Sequence, residues 1–383
     1  MEEWKEYKLG EITIMKNGKK RPQGIGCYPV YGGNGIMDYT DCFNSERSII
    51  VGRVGAYCGC VYKCDEKCWV SDNAISVSAT ELVDFQFLYY LMSTIDFHHH
   101  HIGGAQPLMT QDIIGDFEVK LPKLAAQKDI AIILSSLDDK IELNRRINRN
   151  LEEQAQALFK SWFVDFEPFW DGEFVDSELG MIPKGWRVQT ASDVFEINIG
   201  KTPPRKETKW FSESNEDKVW VSISDMGSCG VFISDSSEYL TSEAINRFNV
   251  LMVEKDTILL SFKLTIGRVA IADKTLTTNE AIARFILPIK SFREFLYLYL
   301  KQFQYANLGS TSSIATAVNS KTIKNMKLLI PSLDVIDSFS VKLKPLFEQI
   351  RFLQQESSRL ASLRDTLLPR LMSGELKVNE INI

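Results

Sequence analysis

The sequence predicts an α+β fold in which two globular halves of mixed α/β structure alternate with two long helices. Three observations lead to this prediction. The chain has 383 residues, more than a single hydrophobic core usually supports, short segments recur along it, and two stretches have apolar residues at coiled-coil spacing. A tandem duplication, with one helix after each globular half, accounts for all three.

The duplication is visible as three pairs of similar segments, one member in each half. They are GRVGAYCGCVY (52–62) and SFKLTIGRVAI (261–271), SDNAISV (71–77) and TTNEAIARF (277–285), and VKLPKL (119–124) and LLIPSL (328–333). The last pair places Pro122 opposite Pro331, an offset of 209 residues. Because a repeat corresponds to one structural unit, we expect both halves to share a fold.

The globular halves consist of short alternating or apolar runs between Gly, Asn, Ser and Pro turns, which is typical of strands joined by loops. Each half also has one clear short helix, VDFQFLYYLMST in the first and SFREFLYLYLKQF in the second. Such loops on a rigid scaffold usually carry binding residues. The predicted segments are a first globular domain, a helical region, a second globular domain and a second helical region, at 1–122, 123–178, 179–331 and 332–383.

The two helical regions share one heptad stripe. Its positions, 209 residues apart, are Leu134, Leu137, Ile141, Asn144, Asn148, Leu151, Ala155, Leu158 and Trp162, and Leu343, Leu346, Ile350, Leu353, Ser357, Leu360, Arg364, Leu367 and Leu371. The stripe favours a coiled-coil pair of helices, each about 35 residues and roughly 50 Å long. The alternative is that each helix packs only on its own globular half.

Polar residues interrupt the stripe, and we expect them to fix the register of the pair. Two prolines also fall in the second helical region. Pro345 is expected in the first turn of the helix, where proline is tolerated, and Pro369 is expected to end or kink the helix near Leu368.

Composition limits the function classes. The formal net charge of −6 excludes a uniformly basic nucleic-acid binder, so any DNA contact must come from local patches. No apolar run approaches the roughly 20 residues of a membrane span, and the start MEEWKEYKLGE lacks the apolar core of a signal peptide. We therefore expect a cytoplasmic protein without a membrane partner.

The seven cysteines and four histidines offer no clear metal site. Cys58, Cys60, Cys64 and Cys68 are close together, but they lack the paired C-x2-C spacing of a zinc site. Reduced structural thiols are favoured over zinc or disulfides in a reducing compartment. The histidines form a single run (98–101), which favours a polar loop over metal binding.

No catalytic constellation is evident. GKT (200–202) resembles the end of a phosphate-binding P-loop, but Phe195 occupies the position of the first glycine of that motif, and the prolines at 203–204 would prevent the following helix. No G-x-G-x-x-G follows a strand, which argues against a dinucleotide or S-adenosylmethionine site. With all histidines in one run, a Ser-His-Asp triad is also disfavoured.

Basic loops occur at equivalent places in both halves, MKNGKKRP (15–22) and NIGKTPPRKETKW (198–210). Either loop alone would be interpreted as a solvated charged surface, but their recurrence favours contacts with DNA phosphates. Nearby amide and glycine-rich turns offer side chains for base edges. The candidate DNA-contact residues are Lys16, Lys19, Lys20, Arg21, Asn34, Arg53, Asn73, Gln106, Lys201, Thr202, Arg205, Lys206, Asp225, Lys263, Asn279 and Ser312.

Several segments resemble a known family. LPKLAAQKDIAIILSSLDDKIELNRRINRNLEEQAQALFKSWFVDFEP (121–168) is similar to the central conserved region of the specificity subunit of type I restriction-modification systems. LIPSLDVIDSF and LASLRDTLLPRLMSGEL (360–376) resemble its C-terminal conserved region, and WVSISDM (220–226) and GKTPPR (200–205) resemble segments of its target recognition domains. The resemblance covers essentially the whole chain and is strongest in the helices.

The resemblance implies a non-catalytic, pseudo-twofold DNA-specificity subunit with two target recognition domains separated by two long antiparallel coiled-coil helices. Each domain would recognise one half of a bipartite double-stranded DNA target, and the helices would set the spacer. Two modification (methyltransferase) subunits and the restriction (endonuclease/translocase) subunits are the implied partners. This chain would bind no cofactor; S-adenosylmethionine, ATP and Mg are expected on the partner subunits. The expected subunit interface consists of Phe159, Trp162, Phe163 and Phe166.

Two other interpretations stay open at this point. A coiled-coil adaptor that never binds DNA would share the helical pattern. A stand-alone type II methyltransferase or nuclease would require a cofactor glycine loop and a catalytic tetrad similar to N/D-P-P-Y, and the sequence contains neither.

Overall fold

The computed structural model describes residues 4–103, 107–308 and 318–380, and the chain divides into two units. Unit 1 comprises Met1–Glu142 with Ser358–Ile383, and unit 2 comprises Leu143–Ser357. Each unit therefore contains one globular half together with part of each long helix.

Among its described residues, unit 1 has eight strands and three short α-helices before the first long helix. These are β1 (Lys5–Lys8), α1 (Leu9–Ile12), β2 (Thr13–Asn17), β3 (Tyr28–Gly32), β4 (Gly35–Thr40), β5 (Ser45–Gly52), β6 (Val61–Val70), β7 (Ala74–Ala79), α2 (Phe85–Ser93), α3 (Gln111–Gly115) and β8 (Glu118–Leu121). The long helix α4 (Leu124–Phe163) follows and continues into unit 2.

Six of these strands form the main sheet of unit 1, in the order β2-β7-β5-β6-β3-β4. Neighbouring strands are antiparallel except β3 and β6, which are parallel. Ile49 and Val77 of the sheet, Phe87 of α2 and Leu134 of α4 belong to one buried cluster. Helix α2 begins after Asp84, whose carboxylate accepts hydrogen bonds from the backbone amides of Gln86 and Phe87.

The described part of unit 2 has thirteen strands and five short α-helices besides the long ones. These are β9 (Phe174–Val175), β10 (Ile182–Pro183), β11 (Arg187–Thr190), α5 (Ala191–Val194), β12 (Glu196–Ile199), β13 (Phe211–Ser212), β14 (Lys218–Val221), α6 (Ile223–Ser228), β15 (Phe232–Ile233), β16 (Tyr239–Leu240), α7 (Ser242–Phe248), β17 (Ile258–Ser261), β18 (Val269–Ala272), β19 (Thr277–Thr278), β20 (Ile282–Ile286), α8 (Phe292–Gln302), α9 (Ser320–Lys324) and β21 (Lys327–Ile330). The second long helix, α10 (Leu333–Met372), ends in unit 1.

The two larger sheets of unit 2 have five strands in the order β12-β20-β17-β18-β15 and four in the order β13-β16-β14-β19, and two strand pairs, β10-β9 and β11-β21, lie outside them. Its largest core includes Ile258 and Phe285 of the five-stranded sheet, Phe295 of α8 and Phe339 of α10. The long helix is therefore part of the same core as the sheet.

The predicted duplication is confirmed. Helices α4 and α10 each have 40 residues, and both of their ends are 209 residues apart. The short helices α3 and α9 and the strands β8 and β21 are separated by the same 209 residues. In each unit the last strand before the long helix pairs antiparallel with a strand from the start of the globular half, β8 with β1 and β21 with β11.

The heptad stripe serves both of the roles that the sequence left open. Leu134 of α4 and Leu371 of α10 are fully buried in the same core of unit 1, together with the sheet and α2. In unit 2 the Asn144 side chain contacts Ser357, and the Trp162 ring lies 5.5 Å from Phe339. The two helices are therefore antiparallel partners and also pack on the globular parts.

The prediction for Pro345 is wrong, and helix α10 does not end at Pro369. Helix α10 begins at Leu333, so Pro345 lies well inside it, and the helix continues past Pro369 to Met372. Both prolines are exposed, as are Val341 and Asp365, whose carbonyl groups lose their helical partners. Water can bond to these carbonyl groups, so the helix tolerates prolines on its solvent side.

Candidate nucleic-acid interface

Four loops of unit 1 meet at one end of its six-stranded sheet. The Lys19 amide donates to a carbonyl of β6 (3.0 Å), and the Arg53 amide donates to the Asn73 carbonyl (2.9 Å). Asn34 is exposed in the turn between β3 and β4, where a Cβ on the adjacent Gly33 would lie 3.5 Å from the Asn73 carbonyl oxygen. The structure therefore brings together four of the predicted DNA-contact residues.

The pair Gly18-Lys19, which we call the Gly-Lys loop of unit 1, is fixed by its backbone. A Cβ on Gly18 would lie 1.9 Å from the Ser71 carbonyl oxygen, so only glycine fits at this position. The Lys19 carbonyl oxygen accepts a hydrogen bond from the indole Nε1 of Trp69 (3.2 Å). Both polar backbone groups of Lys19 are therefore bonded, while its side chain is exposed.

Unit 2 has the same arrangement at Gly200-Lys201, its own Gly-Lys loop. A Cβ on Gly200 would lie 1.9 Å from the Asn279 carbonyl oxygen. The Lys201 amide donates to the Thr278 carbonyl (2.9 Å), and its carbonyl oxygen accepts from the indole Nε1 of Trp220 (3.1 Å). The two loops therefore match in glycine, lysine and tryptophan contacts.

The two indoles come from strands that are not equivalent. Lys19 bonds to β6 and Lys201 bonds to β19, so these strands correspond, and their parallel neighbours β3 and β14 correspond as well. Trp69 belongs to β6, whereas Trp220 belongs to β14. The same hydrogen bond is therefore made from two different positions in the repeat.

The arginine that follows each Gly-Lys loop is already paired. Arg21 forms an ion pair with Asp38. Arg205 pairs with Glu238 (2.8 Å), and its guanidinium lies over the ring of Phe211, 4.4 Å from the centroid. The charges of Arg21 and Arg205 are therefore partly neutralised within the chain.

The other predicted lysines are at the surface. Lys16, Lys20 and Lys206 are exposed. Lys263 is also exposed, and it precedes Leu264, which is fully solvent-accessible and has a positive φ of 60°. A positive φ is uncommon for any residue other than glycine.

Two predicted residues are occupied in intrachain contacts. Asp225 accepts hydrogen bonds from Ser222 and from the Ser237 amide. Burial opposes the charged form of Asp225, but these hydrogen bonds outweigh it and the pKa of the carboxyl is lowered. The Thr202 hydroxyl bonds to Glu280. These contacts give Asp225 and Thr202 a structural role within unit 2.

Two further predicted residues, Gln106 and Ser312, lie outside the described residues. Within the described ranges no group of three or more His, Cys, Asp or Glu is arranged to hold a metal ion. Within the same ranges, no helix has the length and apolarity that a bilayer crossing requires.

Sequence reasoning missed Gly18, Gly200, Trp69 and Trp220 as part of this site. The glycine before the lysine recurs in both halves and was a usable signal. The tryptophans gave none, because their positions do not correspond in the repeat and their contacts with lysine span 50 and 19 residues.

Comparison with known proteins identifies the family. The profile described as "Type I restriction modification DNA specificity domain" matches residues 1–153 and 183–361. The chain belongs to this family. The predicted resemblance is therefore confirmed, and the protein is a DNA-recognition subunit of a type I restriction-modification system rather than an enzyme.

Relatives of this specificity subunit cover most of its length. The type I restriction enzyme HindI specificity subunit of Haemophilus influenzae is 29% identical over 335 residues, covering 72% of each chain. The MjaIX specificity subunit of Methanocaldococcus jannaschii is 29% identical over 318 residues, covering 77% of this chain and 70% of that protein. The crystal structure of a type I S subunit from M. genitalium has the same fold, with a TM-score of 0.60, 18% identity and coverage of 97% and 96%.

The aromatic residues predicted at a subunit interface differ in exposure. Phe159 and Phe163 of this specificity subunit are buried in the core of unit 2, where their rings lie 5.9 and 5.0 Å from that of Phe295. Because a buried side chain offers no surface to another protein, these two residues stabilise the core of unit 2 instead. The half-buried Trp162 and Phe166 keep some exposed surface, and the interface prediction narrows to them.

Proposed function

We propose that unit 1 and unit 2 each recognise one half of a bipartite DNA target. The observation that carries the proposal is the duplicated Gly-Lys loop, which is the same in both units while the side chains around it differ. Phosphate contacts position a protein on DNA and base contacts give specificity, so a shared cationic loop with different neighbours fits two different half-sites. In unit 1 these neighbours are Asn34, Arg53 and Asn73.

In this proposal α4 and α10 set the spacer between the half-sites. Each helix has 40 residues, which corresponds to roughly 60 Å at 1.5 Å per residue. Half-sites one helical turn apart, about 34 Å, can be reached from one face of the duplex.

The proposal includes the partners. Two modification subunits would dock on the helical region, flip the target adenines and methylate them with S-adenosylmethionine, and restriction subunits would add ATP- and Mg-dependent cleavage. This chain would hold none of these cofactors and would act in the cytoplasm.

The assignment of one half-site to each unit can be tested by methylation. The chain would be co-expressed with the modification subunit encoded beside it, and methylated adenines in host DNA would be mapped. Asn73→Ala is expected to change or relax one half of the methylated motif, and Lys263→Ala is expected to affect only the other half. The control is Asn246→Ala, an exposed residue of α7 whose side chain should not meet DNA.

Changes in both halves from a single variant would contradict the assignment. A wild-type chain that directs no methylation would contradict DNA recognition itself.

The role of the helices can be tested by paired insertions. Four residues added to α4 within 142–150, together with four added to α10 within 352–359, lengthen both helices by roughly 6 Å, about two base pairs of DNA. A spacer longer by one or two base pairs is expected, with both half-sites unchanged. The matched control is a four-residue insertion in the exposed turn at 213–216. An unchanged spacer in an active complex would overturn this role.

A further inference from the structure

We propose that Lys19 and Lys201 each bind a backbone phosphate of DNA, and that Trp69 and Trp220 are positioning residues that hold the lysine main chain for this contact. The inference rests on the proposed function and assigns a specific role to each Gly-Lys loop. The lysine and the tryptophan have the same roles in unit 1 as in unit 2.

The first support is the fixed backbone. In each loop the lysine amide donates to a neighbouring strand at 3.0 or 2.9 Å, and the lysine carbonyl accepts an indole hydrogen bond at 3.2 or 3.1 Å. The preceding glycine packs so closely on the carbonyl of the residue that follows that strand that a Cβ would lie 1.9 Å from the carbonyl oxygen. Only the lysine side chain has freedom left to lose on binding, which is the arrangement expected of a pre-organised contact.

The second support is the origin of the indoles. Trp69 and Trp220 occupy non-equivalent strands, so their common hydrogen bond is not explained by simple copying of one half into the other. Because two different positions supply the same donor to the same carbonyl, the bond itself is the shared requirement. A hydrogen bond to the lysine carbonyl fixes the lysine main chain, and this main chain sets the direction in which the lysine side chain extends.

The third support is the local charge. The arginines next to the two loops are paired with Asp38 and Glu238. In the described part of the chain, by contrast, the ammonium groups of Lys19 and Lys201 have no carboxylate within ion-pair distance. A lysine is a compact charge without a preferred base, so it suits a phosphate in both halves although the half-sites differ.

A fourth observation is a buried hydroxyl beside each loop. The Ser71 and Thr278 hydroxyl oxygens are buried and have no hydrogen-bond partner among the residues that the structure describes. Uncompensated buried polar groups are uncommon in structures optimised only for stability, and they occur where a surface is shaped for another task.

The test measures DNA affinity of the assembled complex of this chain with its modification subunit. Fluorescence anisotropy would follow a duplex that contains the methylated motif and an unrelated duplex, from 50 to about 300 mM salt. The plot of log K against log salt has a negative slope. Lys19→Gln and Lys201→Gln are each expected to make this slope shallower by about 0.9, and the double variant by about twice that amount. The affinity for each of the two duplexes should fall by the same factor. The ratio of the affinity for the specific duplex to that for the unrelated duplex should therefore not change.

The tryptophan variants test positioning. Trp69→Phe keeps every charge and is expected to weaken binding about two- to fivefold, the effect of losing one hydrogen bond. Trp69 is half-buried, so this variant is the safer one for folding, and Trp220→Phe repeats the test in the core of unit 2. The Trp69→Phe effect should disappear in the Lys19→Gln background, because a positioning residue acts only through its lysine.

Two controls make the outcome decisive. Lys19→Arg keeps the positive charge and should have the salt slope of the wild type. Lys274→Gln, a change at an exposed lysine of unit 2, should also leave the slope unchanged. Unchanged slopes in the two Lys→Gln variants, or additive effects of Trp69→Phe and Lys19→Gln, would overturn the proposal while leaving half-site recognition intact. Failure of the wild-type complex to bind DNA would overturn both.

Discussion

Unit 1 and unit 2 share a fold but connect their globular parts to the long helices by different polar contacts. In unit 1 Asp138 of α4 accepts hydrogen bonds from Arg364 of α10 (2.6 Å) and from the Tyr90 hydroxyl of α2 (2.7 Å). The Asp138 and Arg364 side chains are each about 30% exposed. Water therefore screens this contact, and its removal should cost little.

In unit 2 the corresponding contact is a buried ionic network. Arg293 of α8 bonds to Glu294 (2.6 Å), Asp256 (2.9 Å) and Glu348 of α10 (3.1 Å). The Arg293 and Glu294 side chains are only 9% and 1% exposed. Removing one charge from such a network leaves another buried without compensation. The stability of two units with the same fold can therefore depend on polar contacts to very different degrees.

The largest expected effect comes from Arg293→Met. It leaves the Glu294 carboxylate buried with its main partner removed, so we expect unit 2 to lose about 3–5 kcal/mol of stability. Hydrogen exchange of the full chain, followed by mass spectrometry, would show faster exchange in α8 and the five-stranded sheet and unchanged rates in unit 1. The double change Arg293→Met with Glu294→Leu should recover most of the loss. A single variant with unaltered exchange would remove the distinction between the units.

The next largest effect concerns a feature that the units share. Gly18→Ala and Gly200→Ala each place a Cβ against a backbone carbonyl that cannot move away as a side chain would. Each is expected to destabilise its own unit by about 1–3 kcal/mol and to weaken DNA binding. Gly33→Ala is the matched control, since its Cβ would have ordinary contacts at 3.5 Å or more. Hydrogen exchange of β6 and β19 measures the effect, and a response in only one unit would contradict the equivalence of the loops.

A smaller effect is expected for Arg364→Ala in unit 1. The Arg364–Asp138 pair is partly exposed, so its loss should cost about 1 kcal/mol, well below the loss at Arg293. Exchange rates in α2 and in the unit 1 part of α4 would report it. Arg370→Ala, which breaks only an exposed pair with Glu375, is the control and should have almost no effect. A loss as large as that of Arg293→Met would mean that burial does not explain the difference.

The smallest expected effect is a loss of stability in acid, and it concerns the Asp256 carboxyl. Burial opposes its charged form, but bonds from Arg293 and Arg351 outweigh this and lower the pKa of the carboxyl. A carboxyl with a lowered pKa contributes stability above its unfolded pKa of about 3.9, and this is lost as the pH falls through the folded value. Unit 2 should therefore lose stability below about pH 4. Asp256→Asn should flatten this acid dependence, which denaturation of the full chain at a series of pH values would measure.

Much of the architecture was predictable, because it is recorded in local periodicity. The spacing of Leu134, Leu137 and Ile141 predicts a helix stripe without knowledge of any distant residue, and the same stripe 209 residues later predicts the second helix. Helix ends and proline tolerance were less predictable. They depend on which side of α10 faces water, and a sequence pattern alone does not contain that information.

The candidate site divides along the same line. The duplication, the two long helices and the basic loops could be predicted from the sequence alone, because they depend on residues close together in the chain. The tertiary structure was needed to show that Trp69 and Trp220 donate to the lysine carbonyls, that Asp225 accepts from the Ser237 amide and that Phe163 is buried. Each of these contacts joins or encloses groups from separate elements. Such contacts exist only after the strands and helices have packed, and the same polar or aromatic residue is equally compatible with a surface role until they do.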